Sequence, residues 1–144
     1  MPKPKFCLDL ETCEELYNLL KNEVFPGYID SFPPFDTRFP GRLESILNSI
    51  EFKADRLGQD IFEVASNYYV SINRGHPLQN GNKRFSVIIA DVFLRIHGYE
   101  PSIPINLFLE VSVLVNMSDL KDEDIKSEIR GFFIKHYKIK KTSQ

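Results

Sequence analysis

One stretch of this chain concentrates groups that can do chemistry. Residues 76–84 read His-Pro-Leu-Gln-Asn-Gly-Asn-Lys-Arg, so an imidazole, two carboxamides, a glycine and two cations fall within a few positions. Lys83 and Arg84 stand at the start of a strongly apolar, helix-periodic run. The unpaired N–H groups and the dipole of a helix start favour anions. Gly81 lets the backbone turn tightly and come close to a ligand. Asn82 can cap the helix, donate to an oxygen, or both. Arg84 offers a bidentate fork suited to phosphate, and Lys83 a point charge. His76 enters six residues before Asn82 and is held by Pro77. Imidazole is the side chain best suited to take a proton near neutral pH. A base facing a phosphate cradle points to transfer from a nucleotide to a hydroxyl.

A plainer reading stands beside it, because Asn-Gly is also an ordinary turn signal between two helices. Two cations at a helix start oppose the dipole, however. A local rule broken with no structural gain is a mark of function.

The flanking elements must place these groups. The spacing predicts a first helix over 9–24, with Thr12 and Glu15 at capping-box spacing and Leu16, Leu19 and Leu20 on one face, ended by Pro26 and Gly27. Residues 26–41 carry Pro26, Pro33, Pro34 and Pro40 with Phe32, Phe35 and Phe39 between them. Proline resists helix and removes backbone donors, so the segment reads as an extended loop or short hairpin. Its aromatics either fold back on the core or make it a binding flap, as long loops in small domains are often functional. Helical patterns follow over 42–50 (Leu43, Ile46, Leu47, Ile50), over 60–73 with Asp60 as N-cap, and over 83–97 closed by Gly98. Residues 104–117 are apolar on nearly every side and predict a buried helix, with a buried strand as the alternative. A last amphipathic helix covers 121–138, and residues 138–144 read as a frayed tail. The expected fold is therefore mainly α, in a single domain spanning 1–144.

Composition narrows the function. At 144 residues the chain is long enough for one domain with its own core. Eighteen Lys and Arg against twenty Asp and Glu give a net charge of −2, which argues against a nucleic-acid surface. Cys7 and Cys13 are too few for a disulfide framework or a four-thiolate zinc site, and His76, His97 and His136 lack ligand spacing. No apolar stretch approaches the roughly 18 residues that span a bilayer, and Met1-Pro-Lys-Pro-Lys is followed by no signal core, so a cytoplasmic protein with no membrane partner is expected. His97 reads as a partner of a helix C-terminus, His136 as a surface residue, and Tyr68 and Tyr69 as core packing. Arg74 suits a surface role or a nucleotide contact equally. The run Asp119, Asp122, Glu123, Asp124 reads as a solvated helix start.

The string HPLQNGNKR resembles the signature of the Fic/Doc superfamily, HxFx(D/E)(G/A)N(G/K)R, matching at His76, Gly81, Asn82, Lys83 and Arg84. Lys83 resembles the death-on-curing (Doc) branch, since AMP-transferring members usually carry glycine there. Arg42-Leu-Glu-Ser-Ile-Leu is similar to a stretch upstream in Doc-like proteins, and residues 85–99 to the helix that follows the motif. The resemblance covers roughly residues 25–104. It implies a Fic-fold helical bundle with a small extended or β-hairpin flap. It implies His76 as general base for a Ser, Thr or Tyr hydroxyl of a target protein, Gly81 and Asn82 as the anion-binding turn, and Lys83 and Arg84 as holders of ATP phosphates. Residues around 28–40, with Phe35, Asp36, Thr37 and Arg38, become the flap that docks a target segment by strand addition. Phosphate transfer from ATP is the first reading and AMP transfer the second. Many relatives are toxins paired with an antitoxin. The family's self-inhibitory signature, (S/T)xxxE(G/N), is not found, so an inhibitor would act in trans.

Two positions depart from the pattern. Leu78 replaces an aromatic that packs in the core, a swap that a core tolerates. Asn80 replaces the acidic residue that helps hold Mg²⁺ on the nucleotide, and a neutral carbonyl should weaken that ion. Asp91 lies about 12 Å along the next helix at 1.5 Å per residue, and Asp36 reaches the loop only if the flap closes. A degenerate domain that binds nucleotide or protein without turnover is thus the competing reading.

Overall fold

The centre of the molecule is a helix that is buried almost all round. In the computed structural model, which describes residues 1–20, 35–37 and 41–141, the helices are α1 (Leu10–Leu20), α2 (Arg42–Arg56), α3 (Ile61–Gly75), α4 (Asn82–Ile96), α5 (Ile105–Met117) and α6 (Asp122–His136). Strands β1 (Tyr99–Pro101) and β2 (Tyr137–Ile139) complete the described elements. From Ile61 to Asn73, α3 buries eleven residues, and α2, α4, α5 and α6 all pack on it.

Local chemistry starts α3 as its sequence predicts. The Asp60 carboxylate accepts from the Glu63 N–H at 2.8 Å, and the Glu63 carboxylate accepts from the Asp60 N–H at 3.2 Å, which is a full capping box. Arg130 of α6 adds 2.7 and 3.2 Å bonds to the same Asp60 carboxylate. One side chain therefore caps a helix and staples it to another.

Aromatic rings fill the space between the helices. Tyr68 meets Phe93 at 5.1 Å, and Tyr69 meets Phe133 at 5.3 Å, edge-on. Both phenols are satisfied inside: the Tyr68 oxygen accepts from the Leu8 N–H at 2.7 Å, and the Tyr69 hydroxyl donates to the Phe108 carbonyl. Fully burying side chains of this size stabilises by about 1.5–3 kcal/mol each. His97 ties the N-terminal segment to the end of α4, with Nδ1 against the Phe93 carbonyl at 2.8 Å and Nε2 accepting from the Lys5 N–H at 3.1 Å.

Four expectations need correction. The N-cap of α1 is Asp9, whose carboxylate accepts from the Thr12 N–H at 2.8 Å. Thr12 is thus inside the helix, and Leu19 of the predicted apolar face is exposed while Cys13 and Tyr17 are buried. Residues 104–117 do form a helix, but its burial is one-sided: Phe108, Ser112 and Val115 face inward, while Leu114 and Met117 are 68% and 73% exposed. An apolar composition all round said nothing of how many neighbours the helix would have. Finally, residues 138 and 139 are not frayed. β2 pairs antiparallel with β1, Tyr99 opposite Ile139 and Pro101 opposite Tyr137, and the Lys140 N–H donates to the Gly98 carbonyl at 2.8 Å. This strand pair joins the end of α4 to the end of α6 and lies outside the flap.

No helix among the described residues is long and apolar enough to cross a membrane.

Candidate active site

The loop from His76 to Gly81 connects the two best-packed helices, so its ends are fixed by the core. α3 ends at Gly75, where an added Cβ would sit 2.8 Å from Ile46 Cδ1 of α2. The Gly75 carbonyl accepts from Arg42 Nη1 at 2.7 Å. The stretch beginning at Arg42 therefore secures the turn into the site. His76 follows at φ 47°, ψ 55°, and is the non-glycine residue with positive φ among those described. Left-handed backbone costs a residue with a Cβ roughly 1–2 kcal/mol, and such strain collects at functional positions.

Beyond His76, Pro77 and Leu78 turn inward and Gln79 and Asn80 face solvent. Leu78 is fully buried, so it fills the core position for which the sequence suggested it. Gly81 then takes φ 83° as the N-cap of α4, and its carbonyl accepts from the Phe85 N–H at 2.8 Å. Asn82 does not cap the helix through its side chain. Its Oδ1 accepts from the Leu78 N–H, and its Nδ2 donates to the Leu78 carbonyl, each at 2.9 Å. The carboxamide thus braces the loop that leads into the first turn of α4.

Lys83 and Arg84 occupy the first turn of that helix and are half-buried. Arg84 runs inward: its Nη1 is buried, and its charge is felt at Tyr17. Burial pushes the Tyr17 phenol up to about 12, with the Arg84 cation pulling the other way.

The described part of the flap lies along this loop. Thr37 bridges Leu78 in antiparallel fashion, and the Gln79 N–H donates to the Asp36 carbonyl at 2.9 Å. The closure that would carry Asp36 toward the loop is therefore present in the backbone, while the Asp36 side chain is exposed. Phe35 has turned the other way. Its ring packs edge-on against Tyr17 at 5.4 Å and Phe85 at 5.9 Å, so it anchors the flap to the core. Arg38 and the rest of the 26–34 and 38–40 segment lie outside the described residues.

Two residues reach the site that motif reading missed. Asn116, at the end of α5, places Nδ2 3.4 Å from His76 Nε2 and 3.2 Å from Asn73 Oδ1. Asn73, fully buried on α3, donates to the Ser112 carbonyl at 2.8 Å. The available signal was a carboxamide set in each of two apolar runs. Arg74 is committed elsewhere, to the Ser118 and Leu120 carbonyls at 3.1 and 2.9 Å and to the Asp122 carboxylate at 2.8 Å. Asp91 is likewise structural: it takes the Tyr137 hydroxyl on one oxygen and Arg95 at 2.8 Å on the other.

No group of three His, Cys, Asp or Glu that could hold a metal ion occurs among the described residues, and Asn80 brings a neutral amide to the loop.

Comparison with known proteins agrees with the motif. A family model described as the Fic/DOC family matches residues 8–94. "Protein kinase doc" of Escherichia phage P1 is 37% identical over 62 residues, covering 42% of this chain and 49% of that protein. The matched region thus spans about half the length of that relative.

Proposed function

This chain belongs to the Fic/DOC family, and on that premise we propose that it is a Doc-like transferase moving the γ-phosphoryl group of ATP to a Ser, Thr or Tyr hydroxyl of a target protein. The observation that carries the reading is the single loop in which His76 stands across a glycine turn from the cationic start of α4. Lys83 and Arg84 hold the ATP phosphates, helped by the dipole at the start of α4 after Gly81. His76 takes the proton of the target hydroxyl. The hydroxyl oxygen bonds to the γ-phosphorus as the bond to the ADP oxygen breaks, and ADP leaves. Such chemistry depends on positioning and charge more than on covalent help from the protein.

The flap supports the docking part of the proposal. One edge of residues 36–37 is bonded to Leu78 and Gln79. A target segment would add to the other edge of Asp36 and Thr37, with its hydroxyl carried toward His76. Mg²⁺ would arrive on the ATP phosphates and be held weakly by this chain, because Asn80 offers no charge. A role as a toxin checked by an antitoxin in trans follows from the same family reading.

The test is label transfer. The purified chain is incubated with lysate, Mg²⁺ and ATP labelled at either the α- or the γ-phosphate, with His76→Ala as control. The expected result is a labelled protein band from γ-labelled ATP alone, absent with the variant. Label from α-labelled ATP alone would replace the proposal by AMP transfer. No band in either lane, with ATP still binding, would replace it by a binder without turnover, the reading that Asn80 favours.

A further inference from the structure

A chain of three amides running from the core to the site dictates which nitrogen of His76 bears the lone pair. It begins at the Ser112 backbone carbonyl, which can only accept. Asn73 must therefore turn its NH₂ toward Ser112, where the 2.8 Å bond is found, and its Oδ1 toward Asn116. An amide oxygen also only accepts, so Asn116 presents its NH₂ to Asn73, at 3.2 Å. The same Asn116 nitrogen lies 3.4 Å from His76 Nε2. It has two hydrogens to give and accepts none. Nε2 must then be the acceptor, and the hydrogen of the neutral ring sits on Nδ1.

The geometry points to Asn116, oriented by Asn73, as the positioning residue that sets the tautomer of His76 and makes Nε2 the proton-accepting atom. This rests on the reading of His76 as the base. The tautomer of a histidine is set by what its nitrogens face. Asn73 is fully buried, so its amide has no solvent alternative and its orientation is firm. Asn116 is held in place from the same side, because Arg74 of α3 grips the Ser118 and Leu120 carbonyls just beyond it. The bond to His76 is long, so it is weak. A target hydroxyl can displace Asn116 from Nε2 at little cost, while in its absence the lone pair stays directed.

Nitrogen-15 NMR of the full chain with labelled histidine tests this at a pH where the rings are neutral. His76 is assigned by its loss in His76→Ala. The expected spectrum has the His76 hydrogen on Nδ1 and Nε2 bare. In Asn116→Asp, whose carboxylate oxygens only accept, the hydrogen moves to Nε2. His97 is the internal control: it too accepts at Nε2, from Lys5, and its pattern stays unchanged in the variant. A wild-type His76 with its hydrogen on Nε2 overturns the inference, as does an Asn116→Asp spectrum with the His76 pattern unmoved. If Asn116→Asp does not fold, Asn116→Leu serves: loss of the Nδ1 preference supports the inference and its retention overturns it. Neither readout needs turnover. Failed label transfer alongside the expected tautomer would remove the transferase reading, and with it the role of Nε2 as base, and leave the assignment of the tautomer to Asn116 standing.

Discussion

The side chain of Asn82 exchanges hydrogen bonds with both backbone groups of Leu78, four residues earlier, at 2.9 Å each way. That reciprocal pair closes the loop into a ring whose rim is the start of α4. Asn82→Asp keeps the acceptor and loses the donor, and Asn82→Ala loses both. The expected cost in stability is about 1 kcal/mol per bond lost, read by urea unfolding, so Ala is the worse of the two. On the proposed function, ATP affinity should fall in both variants, because the turn that would hold the phosphates loosens with the loop.

His76 holds a left-handed backbone that glycine adopts freely. His76→Gly should therefore be as stable as wild type or more so, gaining up to about 1 kcal/mol, although both it and His76→Ala lose transfer. Thermal unfolding of the two variants side by side checks this. If Ala proves more stable than Gly, the strain is absent.

Asn80 is the position where the chain's chemistry differs from its family signature. Asn80→Asp places a carboxylate beside the turn that, on the proposed function, holds the ATP phosphates. Transfer should then half-saturate at a Mg²⁺ concentration at least tenfold lower than in wild type, about 1.4 kcal/mol of added ion binding. An unchanged Mg²⁺ titration would show that position 80 does not face the ion.

Phe35 is the wedge that holds the flap against Tyr17 and Phe85. Phe35→Ala should release residues 36–37 from the loop at a cost of about 1–2 kcal/mol, less than for a fully buried ring. The Gln79 amide, bonded to the Asp36 carbonyl, reports it directly: its hydrogen exchange should speed up while amides in the middle of α3 keep their protection.

The Asp60–Arg130 pair carries a pH signature. Burial acts to raise the Asp60 carboxyl, but hydrogen bonds from Arg130 and Glu63 and the Arg130 charge outweigh it and hold the group below its ordinary value. A folded value below the unfolded one, about 3.9, means the stabilisation is present above that value and is lost as pH falls through it toward the folded one. Asp60→Asn keeps a capping oxygen and removes the charge. It should cost about 1–2 kcal/mol at pH 7, a modest figure because Arg130 is partly solvated. Its stability should also fall less than that of wild type between pH 5 and 3, as read by urea unfolding at each pH.

What the sequence determined by itself was local. The N-cap at Asp60, the helical runs over 42–50, 60–73 and 83–97 and the glycine turn at Gly81 each depend on residues within a few positions, and the structure has them. The chemical inventory of the loop was legible for the same reason, because His76 through Arg84 are neighbours in the chain. What needed the tertiary structure was every relation across long separations. Phe35 became an anchor only because Tyr17 and Phe85 converge on it. Lys138 and Ile139 became a strand only because α4 ends beside α6. α5 stayed half-exposed because burial depends on how many neighbours pack around a helix, and composition does not count them. Asn116 stands forty residues from His76 in the chain, and its place beside the imidazole is decided by how α5 docks on α3. Hydrogen bonds are directional and short-ranged, so which amide meets which ring nitrogen is settled only when the helices have packed.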